Sequence, residues 1–202
     1  MNAILPTVYL VRHGETEWSR DGRHTGTTDL PLTAAGEVMA HALKAWFADV
    51  SFALVMTSPM RRARETCELA GLAGHAGVSA DLSEWDYGDY EGRSSDDIRT
   101  EIPTWNVFRD GCPGGETPAE VSQRADRLID RLLAVEGNIA LFSHGQFSCA
   151  LAARWIGLAI VEGQHFALDV GSVSILGSKP AHPLLPVICQ WNGGPSARPD
   201  RS

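Results

Sequence analysis

The chain has 202 residues, of which 44% are hydrophobic and 21% are charged, and its formal net charge at pH 7 is −8. This length and composition favour one globular domain with a sizeable core. The negative charge argues against nucleic acid or an anionic membrane surface as the main partner, and no apolar run in the sequence is long enough to span a bilayer.

The N-terminus and the cysteines point to a cytoplasmic protein. The first residues lack the basic segment of a secretory signal, and cleavage of a signal there would remove the first predicted strand. The cysteines are widely spaced, without a CxxC pair, and we interpret them as reduced thiols; an oxidised pair is the alternative that the spacing leaves open. They are Cys67, Cys112, Cys149 and Cys189.

Apolar runs and helical periodicities alternate along the first half of the chain. Thr33 is a predicted helix N-cap, and Ser58-Pro59 predicts a second N-cap with a first-turn proline. The predicted strands of this half are residues 6–11, 52–57 and 78–82. The predicted helices cover about residues 34–48, a segment from Ser58 to about Gly71, and residues 94–101.

The same alternation continues in the second half. Thr117-Pro118-Ala119-Glu120 is a capping box with proline at the first helical position, so a helix follows it. The predicted strands of this half are residues 138–143, 172–177 and 183–191, and a helix ending at Gly157 follows the first of them. Residues 193–202 read as a disordered tail, which leaves a single domain over residues 1–192.

Strands that alternate with helices predict an α/β sheet covered on both faces, in which ligands bind beyond the carboxyl ends of the strands. Cationic or imidazole side chains follow three of the predicted strands. They are Arg12 and His13 after the first strand, Arg61 and Arg62 after the second, and His144 after the strand 138–143. We therefore expect these side chains to meet at one edge of the sheet.

The clustered cations predict an anion site. Arg61 has a simple explanation as a surface residue paired with Glu65 one helical turn later, whereas Arg62 points elsewhere and favours a bound anion. His13 and His144 each precede a glycine, which lets backbone approach a ligand closely. A metal site is the competing interpretation for two histidines, but neighbouring arginines would repel a dication.

The remaining histidines and the acidic loop are less informative. His24, His41, His75, His165 and His182 lack such a setting and are expected at the surface or in loops. The segment LSEWDYGDYEG contains several carboxylic acids among aromatic residues, where desolvation can raise the pKa of one of them enough for general acid catalysis. The residues themselves do not say which of Glu84, Asp86, Asp89 and Glu91 that is.

Four motifs in order resemble the histidine phosphatase superfamily, the phosphoglycerate mutase-like group. They are Arg12-His13-Gly14-Glu15-Thr16, SPMRRA (58–63), Glu84 with Tyr87-Gly88 and Glu91-Gly92, and Ser143-His144-Gly145. The resemblance implies a three-layer α/β/α sandwich with a mostly parallel central sheet, and a reaction that needs no metal or cofactor.

The resemblance also implies roles for individual residues. His13 would attack the substrate phosphorus and form a phosphohistidine, and Glu84 would be the general acid and then the general base. Arg12, Arg62 and His144 would bind the phosphoryl oxygens. Ser19, Thr25, Gly26 and Tyr87 are expected substrate contacts. Arg109 is a further candidate, which we infer could hold a distal phosphate or carboxylate.

Two branches of this superfamily compete. The mutase pattern has asparagine at Ser19, lysine at Ser95 and asparagine at Gln146, and its arginine pair has no clear counterpart between Ile98 and Gly111. The chain instead resembles a phosphatase branch that contains fungal sedoheptulose-bisphosphatase-type enzymes and mycobacterial acid phosphatases. We therefore expect a metal-independent phosphomonoesterase acting on small phosphorylated metabolites, with a 2,3-bisphosphoglycerate-dependent mutase as the alternative.

A third hypothesis is a non-catalytic protein that binds phosphorylated ligands. The expected partner is a small phosphate ester, not nucleic acid or membrane, and a homodimer is plausible for an enzyme of this size.

Overall fold

The run TVYLVR forms the first strand, β1 (Thr7–Arg12), because β-branched and aromatic side chains suit a strand that is covered on both faces. Its side chains alternate between two apolar cores: Val8 and Leu10 pack into one, whereas Val11 and Tyr9 pack into the other. The structure is a computed structural model that describes residues 4–194.

The remaining elements follow in the alternating order that the sequence predicts. The strands are β2 (Leu54–Thr57), β3 (Ala76–Val78), β4 (Asn138–Ser143), β5 (Val173–Lys179) and β6 (His182–Gly193). The α-helices are α1 (Glu17–Arg20), α2 (Ala34–Trp46), α3 (Arg61–Leu69), α4 (Ser95–Glu101), α5 (Val107–Asp110), α6 (Pro118–Leu132) and α7 (Gly145–Trp155). Short 3₁₀ helices cover Ala73–His75, Ala80–Leu82, Gly88–Tyr90 and Ile160–His165.

The strands form a single six-stranded sheet in the order β3-β2-β4-β1-β5-β6. β1, β2, β3 and β4 are parallel to one another, β5 is antiparallel to β1, and β6 is antiparallel to β5. Five of the six described strands therefore run in one direction, which confirms the prediction of a mostly parallel central sheet.

Helices cover both faces of this sheet, so the predicted three layers are confirmed. On one face, the apolar sides of α6 and α7 pack against Val8, Leu10, Ile139 and Leu141. On the other face, Leu43 of α2 and Cys67 of α3 join Val11 and Phe142. The capping box predicted at Thr117 is present, and the side chains on one side of α6 are fully buried.

Two local predictions were wrong. The strand expected over residues 78–82 ends at Val78, and residues 80–82 form a 3₁₀ helix, because the partner strand β2 ends at Thr57, opposite Val78. Ser58 does not cap α3, whose N-cap is Met60. The Ser58 hydroxyl instead lies 2.7 Å from a ring nitrogen of His144, so a tertiary contact takes precedence over the local cap.

The C-terminal residues, the cysteines and the helices bear on three further predictions. The tail predicted over residues 193–202 lies outside the described residues except for its first two, and Gly193 is the last residue of β6. All four cysteines are free thiols in the structure. Within residues 4–194, none of the helices combines the length and apolar character that a membrane span requires.

Candidate active site

Three parallel strands, β2, β4 and β1, lie side by side and bring their carboxyl ends together. Arg12 is in register with Ser143, and the His13 amide continues the ladder by donating to the Ser143 carbonyl at 3.0 Å. The Ser58 amide donates to the Phe142 carbonyl at 2.9 Å. The structure thus brings the residues that follow these strands to one edge of the sheet, as the sequence predicts.

His13 has the geometry of a neutral nucleophile. Its side chain is only 5% exposed, and Nδ1 lies 2.7 Å from the Gly14 carbonyl, so Nδ1 carries the proton and Nε2 keeps its lone pair. Burial, together with the charges of Arg62 and Arg12, holds the pKa of His13 well below its usual value. The imidazole is therefore uncharged at neutral pH, with Nε2 available to form a bond.

The glycine after His13 is required by close packing against α2. A Cβ atom on Gly14 would lie 2.5 Å from the backbone oxygen of Gly36, and a Cβ atom on Gly36 would lie 2.2 Å from the backbone oxygen of Glu15. The first turn of α2 thereby fixes the loop that carries His13.

Arg12 is prepared to bind an anion. Its Nη1 donates to the Leu168 carbonyl, whereas its Nε is buried and has no hydrogen-bond partner among the described residues. A Cβ atom on Gly145 would come within 3.3 Å of this guanidinium, so a glycine is favoured there. A buried guanidinium donor without a partner fits the oxygen of a phosphoryl group.

Arg62 is fully buried behind the nucleophile. Its Nη2 donates to the carbonyls of Thr25 and Gly26 at 2.9 and 3.1 Å, and its Nη1 donates to the Thr28 carbonyl at 3.0 Å. These bonds attach the Arg62 guanidinium to the segment that follows α1, and its charge lies beneath the phosphoryl site that we expect at His13.

His144 is fully buried and lies edge-on to His13, with 5.2 Å between the ring centroids. Its Nδ1 accepts a hydrogen bond from Nε of Arg62 at 3.2 Å, so its Nε2 carries the proton and donates to Ser58 Oγ at 2.7 Å. Burial is the main cause that holds the pKa of His144 well below its usual value, and the charge of Arg62 adds to it.

Glu84 is the carboxylic acid of the LSEWDYGDYEG segment that reaches the site. One of its oxygens accepts from the amides of Trp85 at 2.9 Å and Phe147 at 2.8 Å, and the other accepts from the Gln146 amide at 3.0 Å. The carboxyl thus lies at the N-terminus of α7, where the helix dipole favours negative charge. These amides fix the carboxyl group in a cavity that His13 also lines, and this position supports the roles of Glu84 as general acid and general base that the resemblance implies.

Two other carboxylates of this segment, those of Glu91 and Asp86, hold backbone in place. The two oxygens of Glu91 accept from the amides of Gly26 and Thr28 at 2.9 to 3.0 Å. Asp86 accepts from the Gly88 amide at 3.0 Å. These contacts explain their presence without a catalytic role.

A cavity of about 250 Å³ opens above these groups. Of the predicted site residues, those that line it are Arg12, His13, Ser19, Thr25, Glu84 and Tyr87. Gly26, Arg62 and His144 are not among the described residues of its wall and lie behind it. Gly26 therefore acts through Arg62 and Glu91, and a Cβ atom there would lie 2.5 Å from the Trp85 carbonyl.

His24 lies in a loop, as predicted, but its side chain is buried and lines the cavity, so the expectation that it has no place in the site was wrong. Its ring stacks on Tyr87 with 4.5 Å between centroids, and its Nε2 lies 3.1 Å from Ser95 Oγ. Burial lowers the pKa of His24 to about 4. No local pattern marks this residue; its one signal is that it directly precedes Thr25 and Gly26. The other four histidines set aside are exposed, as expected.

The two remaining arginine predictions had opposite outcomes. Arg61 pairs with Glu65 at 2.6 Å across one helical turn, which confirms its surface role. Arg109 does not line the cavity: its side chain is 51% exposed and pairs with Asp110 at 2.7 Å. Among residues 4–194, no cluster of three His, Cys, Asp or Glu side chains could hold a metal ion.

Comparison with known proteins agrees with this geometry. The sequence profile of the histidine phosphatase superfamily (branch 1) matches residues 8–189. The chain belongs to the histidine phosphatase superfamily.

Two phosphatases are among the named relatives of this histidine phosphatase. It is 41% identical over 174 residues to an acid phosphatase of Mycobacterium tuberculosis, which covers 83% of this chain and 84% of the relative. It is 37% identical over 193 residues to sedoheptulose 1,7-bisphosphatase of Saccharomyces cerevisiae, which covers 79% of this chain and 71% of the relative. Proteins named probable phosphoglycerate mutases are less similar, for example one from Salmonella choleraesuis at 34% over 161 residues.

A solved structure of an open-reading-frame product from Mycobacterium tuberculosis superposes with a TM-score of 0.88 at 36% identity, over 94% of this chain and 98% of that one. These relationships identify this histidine phosphatase as a phosphoric monoester hydrolase, which is the activity expected from its motifs.

Proposed function

We propose that this phosphatase hydrolyses small phosphorylated metabolites through a phosphohistidine on His13, without a metal ion or other cofactor. The observation that carries the proposal is the neutral His13 ring, whose Nδ1–H is held by the Gly14 carbonyl while Nε2 keeps a lone pair beside the guanidinium of Arg12. An uncharged imidazole in this orientation is a competent nucleophile at neutral and mildly acidic pH.

In the first step, Nε2 of His13 attacks phosphorus, and the bond to the ester oxygen breaks as the nitrogen–phosphorus bond forms. Arg12 binds the phosphoryl oxygens, and the charge of Arg62 behind it, to which the neutral ring of His144 is hydrogen-bonded, stabilises the negative charge of the transition state. The departing oxygen takes a proton from the Glu84 carboxylic acid, so that an alcohol leaves.

In the second step, the Glu84 carboxylate removes a proton from water as the water oxygen attacks phosphorus. The bond between phosphorus and Nε2 of His13 then breaks, and inorganic phosphate is released. His13 gains the phosphoryl group in the first step and loses it in the second, and Glu84 gives a proton in the first step and takes one in the second. No further proton donor is therefore needed.

The mutase alternative requires a group that holds a second acidic part of the substrate while the phosphoryl group is returned. Where the mutase pattern has lysine, this chain has Ser95, whose hydroxyl faces His24. At that point the chain therefore lacks the cation of the mutase pattern, which favours hydrolysis over transfer. Interconversion of 3- and 2-phosphoglycerate much faster than phosphate release would establish the mutase instead.

Replacement of the nucleophile tests the mechanism. We expect His13→Ala to abolish turnover of p-nitrophenyl phosphate in EDTA, because no phosphoenzyme can form, whereas His41→Ala, an exposed histidine of α2, should retain it. After incubation with a ³²P-labelled phosphate ester and quenching, the parent chain and His41→Ala should carry covalently bound ³²P that acid releases, as a phosphohistidine does. Turnover by His13→Ala, or no trapped label in an active parent chain, would contradict a phosphohistidine.

We further propose a cytoplasmic location, supported by the four free thiols, and a homodimer that does not bind nucleic acid. Sedimentation velocity of the purified chain, with and without a DNA duplex, measures both of the latter properties.

A further inference from the structure

A second cavity, of about 200 Å³, adjoins the catalytic one. We call them the distal chamber and the catalytic chamber. Four residues contribute to the walls of both: His24, Ser95, Gln146 and Phe166. The two chambers therefore adjoin at these residues.

The distal chamber contains one cationic side chain, Arg99, and none of its described lining residues is acidic. The Arg99 Nε donates to the Trp105 carbonyl at 3.2 Å, which fixes the base of the guanidinium. Its nearest carboxylate, on Asp96, is 3.8 Å from Nη1 and 99% exposed, so this pairing is weak. The outer nitrogens of Arg99 remain available to a ligand.

Neutral amides add further donors to the distal chamber. Asn106 Nδ2 donates to Gln164 Oε1 at 3.1 Å, which orients the Gln164 side chain so that its NH₂ group points away from Asn106. Both residues line the chamber with Arg99. A guanidinium and an amide donor without a competing carboxylate favour an anionic ligand.

The two chambers adjoin along α4. Ser95 and Arg99 are four residues apart on this helix and so lie on the same face. Ser95 lines both chambers, whereas Arg99 lines the distal chamber. Arg99 thus lies one helical turn beyond the wall that Ser95 shares between the chambers.

We propose that the distal chamber binds a second anionic group of the substrate, a phosphate or a carboxylate, and that Arg99 is the residue that selects for it. The substrates of this phosphatase are then small phosphate esters with an anion at each end. This inference rests on the proposed function, since it places the reacting phosphoryl group at His13.

Paired substrates test the proposal. Fructose 1,6-bisphosphate and 3-phosphoglycerate carry a distal phosphate and a distal carboxylate, whereas fructose 6-phosphate and p-nitrophenyl phosphate carry no second anion. We expect Arg99→Gln to lower kcat/KM about tenfold or more for the first two and to leave the other two nearly unchanged, because a charge-assisted hydrogen bond is lost only with the former. Arg99→Lys should restore part of the loss.

Arg109→Gln is the matched control, since it makes the same change at an exposed arginine outside both chambers, and it should leave all four substrates unchanged. A loss confined to the phosphate or to the carboxylate substrate supports the proposal and identifies the anion. An equal loss for all four substrates, or no loss for any, would overturn it. So would a selective loss in Arg23→Gln, in the wall of the catalytic chamber, that is absent in Arg99→Gln.

The two proposals fail separately. If Arg99 is misassigned, p-nitrophenyl phosphate turnover and label trapping on His13 persist, and Arg99→Gln leaves the selectivity among the four substrates unchanged. If the phosphohistidine mechanism is wrong, label trapping fails in the parent chain whatever residue stands at position 99.

Discussion

At the scale of single residues, Glu84 has two roles that a substitution can distinguish: its carboxyl group accepts hydrogen bonds from backbone, and it transfers a proton. Three backbone amides hold its carboxyl group at the start of α7. Glutamine can accept some of these hydrogen bonds through its carbonyl oxygen, but its amide cannot donate a proton as a carboxylic acid does. A substitution to glutamine therefore removes acid catalysis with limited damage to the loop.

We expect Glu84→Gln to lower kcat/KM, which covers only the formation of the phosphohistidine, about 10²- to 10⁴-fold for sugar phosphates, whose alkoxide leaving group needs a proton. The loss should be much smaller for p-nitrophenyl phosphate, because p-nitrophenolate leaves without one. Steady-state kinetics on both substrates measure the difference, with Glu17→Gln in the exposed α1 as the control. Equal losses on both substrates would mean that Glu84 is not the general acid.

At the scale of elements, the site depends on the segment before β5, which is hydrogen-bonded to the last strand, β6. The segment before β5 supplies the Leu168 carbonyl that holds Arg12. Asn192 of β6 clamps this segment: its Oδ1 accepts from the Asp169 amide at 2.8 Å, and its Nδ2 donates to Asp169 Oδ2 at 3.0 Å. Asn192 has a φ of 53°, in the left-handed region that asparagine tolerates better than most residues.

We expect Asn192→Ala to raise KM for phosphate esters, because a looser Leu168 carbonyl no longer orients Arg12. It should also lower the free energy of unfolding by about 1–3 kcal/mol, from the lost hydrogen bonds and the strained φ. Asn192→Gly accepts the same φ without strain and should recover part of the stability but not the KM. A normal KM in both variants, measured beside urea unfolding, would show that the clamp does not reach Arg12.

At the scale of the whole molecule, stability should depend on pH through buried neutral histidines. Burial lowers the pKa values of His13, His24 and His144. For His24, the pKa is about 4 in the folded protein and 6.5 ordinarily. Between these values the unfolded chain binds more protons than the folded one, so stability falls as the pH falls from 6.5 to 4.

We expect His24→Phe to reduce this fall by about 3 kcal/mol, since phenylalanine retains a ring against Tyr87 and has no proton to bind. Urea unfolding at pH 7, 5.5 and 4 measures the effect, and the exposed His41→Phe should follow the parent chain. The same pH slope in His24→Phe as in the parent chain would show that His24 is not the group that titrates.

The sequence predicts the features of this protein that depend on local patterns, and it does not predict those that depend on contacts between residues far apart in the chain. His13 and His144 could be predicted because parallel strands present the residues at their carboxyl ends to one edge of the sheet, and periodicity reveals the strands. His24 could not, because its partner Ser95 is 71 residues away. Ser58 was assigned to a local cap because its true partner, His144, lies on another strand end.

The distal chamber was missed for the same reason. Arg99 and Arg109 both follow the acidic loop, and no sequence pattern distinguishes them. In the structure, Arg109 pairs with its neighbour Asp110, whereas Arg99 lines the distal chamber. Only the packing of α4 beside His24 distinguishes them. The motif order thus predicts the chemistry at phosphorus, whereas substrate selection depends on tertiary contacts.

The buried Nε of Arg12, which has no partner among the described residues, also bears on the end of the catalytic cycle. Leaving a buried donor unsatisfied costs about 1–3 kcal/mol, and any phosphoryl oxygen relieves that cost. Inorganic phosphate relieves it as well as an ester does, so departure of the product restores the penalty. The feature that attracts substrate is therefore expected to favour bound phosphate as well.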